Sequence, residues 1–346
     1  MADAKAPELK TYNEAMASPD AVEWLTAYED KMCTWKNLDV YDIVPQPKGQ
    51  KVIGSKWVFC IKRGPDGSIQ KYKAWIVAQG FTQVKSIDFN QTFASVAKFS
   101  SLRTVFALAA KHNLEVHQMD IKATYLNTHL KEDIYIKAPP SFDIPNGHIL
   151  RLKKGVYGTK QGGRVWYIDF SSTLSDLGYT RMEADHAVFV CKTSGFPDII
   201  TTYVDDMGLI SESLERINQD KEALRRHYEM TDLGEMGWIL GIHMTHDHDK
   251  GTISLSQEKF IREVLECYGI TNAHPISTPA LVNECLVKLS SPEIDAKAYQ
   301  HTLGSIMYPM LGTQPDLGYA IVALGCHAAN PRPNHQHALE HVLQYL

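Results

Sequence analysis

The 346-residue chain has no apolar run near the roughly 18 residues that a bilayer-crossing helix needs. Its start, Met1-Ala2-Asp3-Ala4-Lys5, leads into polar residues and carries no signal-peptide pattern. Cysteine is sparse: Cys33, Cys60, Cys191, Cys267, Cys285 and Cys326 never take Cys-x-x-Cys spacing. That argues against a cysteine zinc site or a disulfide framework and reads as reduced thiols in an intracellular protein. A surplus of positive charge is also missing, with 35 Lys and Arg against 40 Asp and Glu for a net charge of −5. A nucleic-acid binder is usually basic on its binding face, so the sum counts mildly against that class. Distribution outweighs the sum, and basic residues bunch in 48–73 and 151–164. Apolar residues make up 44%, enough for a full core, and the length leaves room for more than one domain.

What is present centres on residues 199–210, where two β-prone apolar runs flank Asp205 and Asp206. Read as a hairpin, this stretch sets both aspartates at the tight bend, where turn chemistry favours Asp. Adjacent carboxylates repel, and a divalent cation is one of the few partners that makes such a pair favourable. An ordinary solvated turn has the same composition. A second apolar run, residues 114–121, delivers Asp120. Should its strand lie beside the hairpin, three carboxylates meet at one sheet edge. Two Mg2+ ions roughly 3.5–4 Å apart need such a cluster to clamp the oxygens of a phosphoryl transfer.

Around these runs, residues 1–20 read as loose and 21–32 as a helix with Trp24, Tyr28 and Met32 on one packing face. Strands are expected at 52–61 and 69–77, joined by the turn Gly64-Pro65-Asp66-Gly67 and bearing Lys56, Lys62, Arg63, Lys71 and Lys73. Lysines on such a hairpin suit phosphate, or merely protect a solvated edge. A helix over 100–111, strands over 132–137, 149–152 and 187–192, and helices from the glycine-rich entry to about 177 and over 214–228 follow. Helices at 256–268, 295–311, 315–329 and 335–346 complete the chain. The stretch Asp247-His248-Asp249-Lys250-Gly251 has the residue types of a hairpin tip and reads as a turn, not a metal site. His327, His335, His337 and His341 have no clear acid or cysteine partner, and no zinc site is expected there.

Tyr203-Val204-Asp205-Asp206 is similar to the signature box of reverse transcriptases, and Asp120-Ile121-Lys122-Ala123-Thr124-Tyr125-Leu126-Asn127 to their first-aspartate box. Gly54 to Phe59, Lys73 to Phe81, Leu152 to Tyr167, Leu233 to Met244, Leu303 to Tyr308 and Pro315 to Ala320 resemble further boxes in the same order. The resemblance is to the copia-type LTR-retrotransposon family (Pseudoviridae), and it covers residue 21 to the end. It implies an α+β right hand, with a loose segment 1–20, fingers 21–112, a palm with an antiparallel sheet 113–245 and a helical thumb or connection region 246–346. It implies RNA- and DNA-templated DNA synthesis using two Mg2+ ions, with Mn2+ as a substitute. Asp120, Asp205 and the Ile121 carbonyl would be metal ligands, and Asp206 the third acid. Lys73, Tyr125 and Gln161 would lie near the nucleotide, Tyr125 as the aromatic gate beneath the sugar. Trp238, Leu240 and Gly241 would belong to the primer grip. The implied partners are RNA template, DNA primer, dNTPs and the integrase and ribonuclease H parts of a Gag-Pol polyprotein, with no membrane. The implied location is a cytoplasmic virus-like particle or the nucleus. The chain is expected to stop before a ribonuclease H domain, as a piece of a polyprotein or a truncated copy.

Some positions depart from the family. Gly162-Gly163 stands where Ala-Pro is usual, which predicts a looser helix start. Trp75 and Gln314 stand where the family has arginines. Arg to Trp and Arg to Gln are what a decaying CG step in an arginine codon produces, so this is read as an ageing copy whose fold survives. Two other functions compete with polymerisation: a non-catalytic nucleic-acid-binding remnant, and a two-metal nuclease, which would need more acids or a His near the cluster. An indole cannot replace a cationic fork on a triphosphate. Trp75→Arg should therefore raise primer extension by roughly 30-fold or more, the counterpart of about 2–4 kcal/mol for one such contact. An unchanged rate in the purified protein would refute the impairment.

Overall fold

A computed structural model of the chain describes residues 9, 11–64, 68–192, 194–270, 273–280, 286 and 292–346. In chain order the elements are α1 (Tyr12–Met16), α2 (Ala21–Asn37), β1 (Tyr41–Pro45), β2 (Val52–Ile53), β3 (Ser55–Arg63), β4 (Ile69–Ala78), α3 (Phe99–His112), β5 (Glu115–Ile121), β6 (His129–Ile136) and β7 (His148–Lys154). They continue with α4 (Gly162–Asp176), β8 (Thr180–Arg181), β9 (Val188–Cys191), β10 (Asp198–Tyr203), β11 (Asp206–Ser211), α5 (Leu214–Arg225), β12 (Met230–Glu235), β13 (Trp238–Ile239), β14 (Ile242–Asp247) and β15 (Thr252–Ser256). Helices α6 (Glu258–Cys267), α7 (Ala296–Gly312), α8 (Gly318–Gly325) and α9 (Pro333–Tyr345) complete the order.

The chain divides into two compact units. One holds Met1–Lys98 and Glu115–Gly234, the other Phe99–Leu114 and Glu235–Leu346. These cuts differ from the four segments read in the sequence, chiefly because α3 belongs with the C-terminal residues.

Alternation along β3 and β4 turns Trp57, Phe59, Ala74 and Ile76 to one buried face. Helix α2 covers it: the Trp24 ring meets Phe59 at 5.4 Å and Tyr72 at 4.6 Å, both edge-on. The helix runs past the expected residue 32 to Asn37 because Trp35 is buried in the same core. Part of the stretch expected to be loose forms α1, where the Thr11 hydroxyl accepts from the Glu14 N–H and Ala15 is buried. A four-stranded sheet in the order β1-β7-β6-β2 completes this core. Of the expected turn at 64–67, residues 65–67 lie outside the described ones. Gly64 N–H to the Ser68 carbonyl, 2.8 Å, closes the hairpin.

The six-stranded sheet has the order β12-β5-β11-β10-β9-β8. Strand β10 is buried along almost its whole length, Asp198, Thr201 and Thr202 included, with β11 and β9 on its two sides. Trp166, Phe170 and Leu174 of α4 and Ile217 and Leu224 of α5 share a core with Met119, Ile200 and Met207 of the sheet. Helix α4 ends where expected, while α5 stops at Arg225, short of residue 228.

In the second unit, Tyr299, Ile306, Leu317, Leu324 and Leu339 form the core. Asp295 caps α7 by accepting from the Lys297 and Ala298 N–H groups. The helix expected over 315–329 is instead a short 3-10 turn, Pro315–Leu317, followed by α8, which ends at Gly325.

Two glycines let the end of β4 approach the entry to α4. The Ala78 N–H donates to the Tyr157 carbonyl at 2.8 Å. A Cβ on Gly158, whose φ is +87°, would lie 2.1 Å from the Ala78 carbonyl oxygen, and one on Gly80 would lie 2.0 Å from the Gly158 oxygen. Gly49 shares the positive φ, +74°, with nothing within 4 Å. Gly49→Ala should cost about 1–2 kcal/mol, the left-handed penalty alone. Gly158→Ala should cost at least about 1 kcal/mol more in urea unfolding, because backbone must move. Equal losses would show that the close approach carries no strain.

Candidate active site

The turn of the β10–β11 hairpin is one residue earlier than expected. Tyr203 pairs with Asp206, so Val204 and Asp205 are the two loop residues and Asp206 already belongs to β11. Among these only Val204 has positive φ, +64°. This is the II′ pattern, whose first central position normally takes Gly, and a β-branched residue there is strained. The strain is held from several sides. Trp166 Nε1 donates to the Val204 carbonyl at 3.0 Å. The Ile121 N–H donates to the Asp205 carbonyl at 3.0 Å, and the Ala97 N–H to the Thr202 carbonyl at 3.0 Å.

Antiparallel pairing of β11 with β5 sets Asp206 directly opposite Asp120. All three sequence-identified aspartates thus converge on one end of the sheet. Burial raises the Asp120 carboxyl above its ordinary range, and the charge of Asp205 raises it further. Lys73, Lys62 and Lys122 oppose that rise from a distance. Asp206 is pushed up to about 6, first by burial and then by Asp205 and Asp120, although Gln118 Nε2 donates to its Oδ1 at 3.3 Å. Among the described residues no ammonium or guanidinium pairs directly with any of the three, and Lys122 is bound to Glu229 at 2.6 Å. A crowded all-oxygen donor set with unbalanced negative charge fits a hard divalent cation such as Mg2+ or Mn2+. The Ile121 carbonyl, expected as a further ligand, accepts from the Thr124 hydroxyl at 2.9 Å and keeps one lone pair.

Tyr125 lies on the turn after β5, beside a small cleft also lined by Ser95, Gly163, Trp166, Thr202 and Val204. Its phenol pKa is raised by burial and then by Asp205. Its ring meets Tyr157 edge-on at 4.7 Å, and Tyr157 in turn meets Trp75 at 4.8 Å. Trp75 is therefore built into the site's aromatic support. Two cations approach its ring, Lys31 Nζ at 4.2 Å and Lys73 Nζ at 5.7 Å from the centroid. Burial and the neighbouring Lys73 and Lys71 lower Lys31 to about 8.

Gln161 is only 2% exposed. Its Nε2 donates to the Asp88 carbonyl at 2.9 Å and its Oε1 accepts from Gln83 Nε2 at 3.1 Å. The side chain braces the segment 83–88 instead of presenting a free amide. Trp238, Leu240 and Gly241 belong to the second unit. There Leu240 (φ +53°) and Gly241 (φ +77°) make a two-residue turn between β13 and β14, and the Tyr308 hydroxyl donates to the Leu240 carbonyl. The supports from Trp166 and Gln118 escape a sequence reading, since nothing local marks a side chain that will bond to a residue tens of positions away.

Residues 38–282 match the family described as reverse transcriptase (RNA-dependent DNA polymerase). The whole chain is 33% identical to the retrovirus-related Pol polyprotein from transposon TNT 1-94 of Nicotiana tabacum, covering 27% of it. Over 88% of the chain, identity is 30% to the corresponding polyprotein from transposon RE1 of Arabidopsis thaliana, covering 21% of it. Over 66% of the chain, identity is 30% to the putative transposon Ty5-1 protein of Saccharomyces cerevisiae, covering 75% of it. The chain spans about a quarter of the length of the plant polyproteins it matches, 27% and 21%. By the family match across most of its length and the order of its motifs, the chain belongs to the reverse transcriptases of copia-type retrotransposons.

Proposed function

We propose that the chain is the polymerase part of a retrotransposon Pol polyprotein and extends a DNA primer on RNA and DNA templates. What supports this is the register of β11 on β5, with Asp120 opposite Asp206 and Asp205 on the adjoining turn. The β3–β4 hairpin serves as fingers, the six-stranded sheet as palm, and the helices after β15 as thumb. Divalent cations, two Mg2+ on this reading, would when bound acidify the primer 3′-hydroxyl and offset charge on the triphosphate and leaving pyrophosphate. Asp120 and Asp205 supply carboxylate ligands, with the free lone pair of the Ile121 carbonyl beside them. Asp206, oriented by Gln118, adds the third negative charge. Tyr125 packs beneath the sugar and disfavours a 2′-hydroxyl. Lys73 attracts the phosphates. Trp238, Leu240 and Gly241 hold the primer end, and the duplex is read through backbone and shape, as any-sequence synthesis demands.

A second reading, an impaired copy that keeps its fold, draws on Trp75. The indole sits against Tyr157 with Lys31 and Lys73 over its ring. It brings cations to the place but offers no fork of its own for phosphate.

Mg2+-dependent primer extension tests the polymerase reading. Asp205→Asn should lower the rate by at least about 10²-fold, as removal of one designed transition-state contact does. Equal extension by the variant would end the assignment. Asp206 supplies a further check in chelator-treated protein. An unfolded carboxyl titrates near ~3.9, so the folded state, with its value near 6, binds the extra proton between about pH 4 and 6. Stability therefore rises as pH falls through 6, and the ionised group costs stability at pH 7. Asp206→Asn should stabilise the metal-free chain at pH 7 by about 1–2 kcal/mol, allowing for solvent screening, and by almost nothing at pH 4. Urea unfolding at the two pH values reads this, and a destabilised variant at pH 7 would contradict the crowding of the three acids.

A further inference from the structure

Away from the acids, one group of ligating side chains converges among the described residues. Glu235, His246 and His248 each offer one oxygen or nitrogen, and these atoms all lie within 4.8 Å of one another. All belong to the second unit. Glu235 ends β12, His246 lies on β14, and His248 opens the tip between β14 and β15. The imidazole centroids are 3.8 Å apart with the rings tilted by 31°. Nε2 of His248 is 3.8 Å from Glu235 Oε1.

The other nitrogen of His248 decides the chemistry. Its Nδ1 is 2.9 Å from Asn113 Oδ1. An amide oxygen only accepts, so Nδ1 carries the proton and the neutral ring keeps its lone pair on Nε2, on the Glu235 side. A carbonyl oxygen holding the remote nitrogen is how a ligating histidine is commonly fixed in tautomer and orientation. Asn113 stands just past the C-terminus of α3 with φ +50°, so its placement is fixed by backbone as well.

We propose that Glu235, His246 and His248 form a site for a borderline transition-metal ion of the Zn2+ class. Two imidazoles and one carboxylate are donors that suit zinc, whereas the all-oxygen aspartate cluster suits Mg2+. Zinc bonds of about 2.0–2.2 Å in a tetrahedron set ligand atoms about 3.3 Å apart, so the 3.8 Å gap closes by side-chain rotation. Glu235 is exposed and both histidines are half-buried, which gives the ion a path in and leaves water a fourth position. The ion would tie the end of β12 to the tip of β14 and so close the segment that carries β13 and the Leu240–Gly241 turn. Such a clip binds only the folded hairpin and stabilises it by mass action. The site stands on its own geometry and does not depend on the polymerase reading.

The test uses the tag-free full chain, titrated with Zn2+ as its wild type, as the double variant His246→Gln/His248→Gln, as Glu235→Gln and as Asp205→Asn. Wild type and Asp205→Asn should each bind one equivalent more than the double variant, with a rise in melting temperature that the double variant lacks. Co2+ in place of Zn2+ should give visible ligand-field bands without a thiolate charge-transfer band. Equal stoichiometry in wild type and double variant would overturn the site, and so would a thiolate band, which would place the ion on the cysteines. Should the double variant fail to fold, the exposed Glu235→Gln carries the test. It should weaken affinity by at least about 10-fold, and unchanged affinity would refute the carboxylate's part.

Discussion

Everything at the candidate site hangs on one ladder, the antiparallel pairing of β11 with β5 that sets Asp206 against Asp120. The Ile121 N–H bond to the Asp205 carbonyl extends that ladder past the last paired residues into the turn. Side chains on paired strands share a face in a fixed register, so a slip of one residue would send Asp206 to the opposite face of the sheet. The acids meet because Met119, Ile121, Ile200 and Met207 are buried in a common core with Trp166 and Phe170, and a slip would expose them. Apolar burial holds the register, and the register holds the charges.

The same arrangement works against itself electrostatically. Burial and mutual repulsion lift the Asp120 and Asp206 carboxyls above their ordinary values. A β-branched residue at positive φ adds backbone strain at Val204. Neither feature helps the fold. Both are tolerated because Trp166, Gln118 and the neighbouring strand leave the turn nowhere else to go. Strain and shifted carboxyl pKa values concentrated on a rigid scaffold are features that cluster at functional sites.

Much of this was legible in the residues. The apolar runs at 199–210 and 114–121 announced strands, and the lysine-bearing hairpin and amphipathic α3 stand where periodicity placed them. The bend was misread by one position because Asp is a common turn residue, while the actual turn sets Val204 in a conformation that valine disfavours. Strand β1 was missed: it is short, ends on Pro45 and lies at the edge of its sheet. Strand β12, with Gly234 at φ +73° near its end, gave no alternating signal. The apolar runs allow Asp120 to meet the hairpin and the family likeness implies it, but the register that sets Asp120 opposite Asp206 is not legible, because pairing across some 85 residues leaves no local trace. The Asp247–Gly251 stretch reads as a turn in isolation, and only the fold brings Glu235 to His246 and His248, and Asn113 to His248.

The row of rings from Trp75 through Tyr157 to Tyr125 carries a further implication. An indole in the β3–β4 hairpin braces a phenol ahead of α4, which braces the proposed sugar gate. On the proposed reading, triphosphate grip and ribose exclusion share one mechanical support. A substitution at position 75 would on that reading disturb both selectivities together.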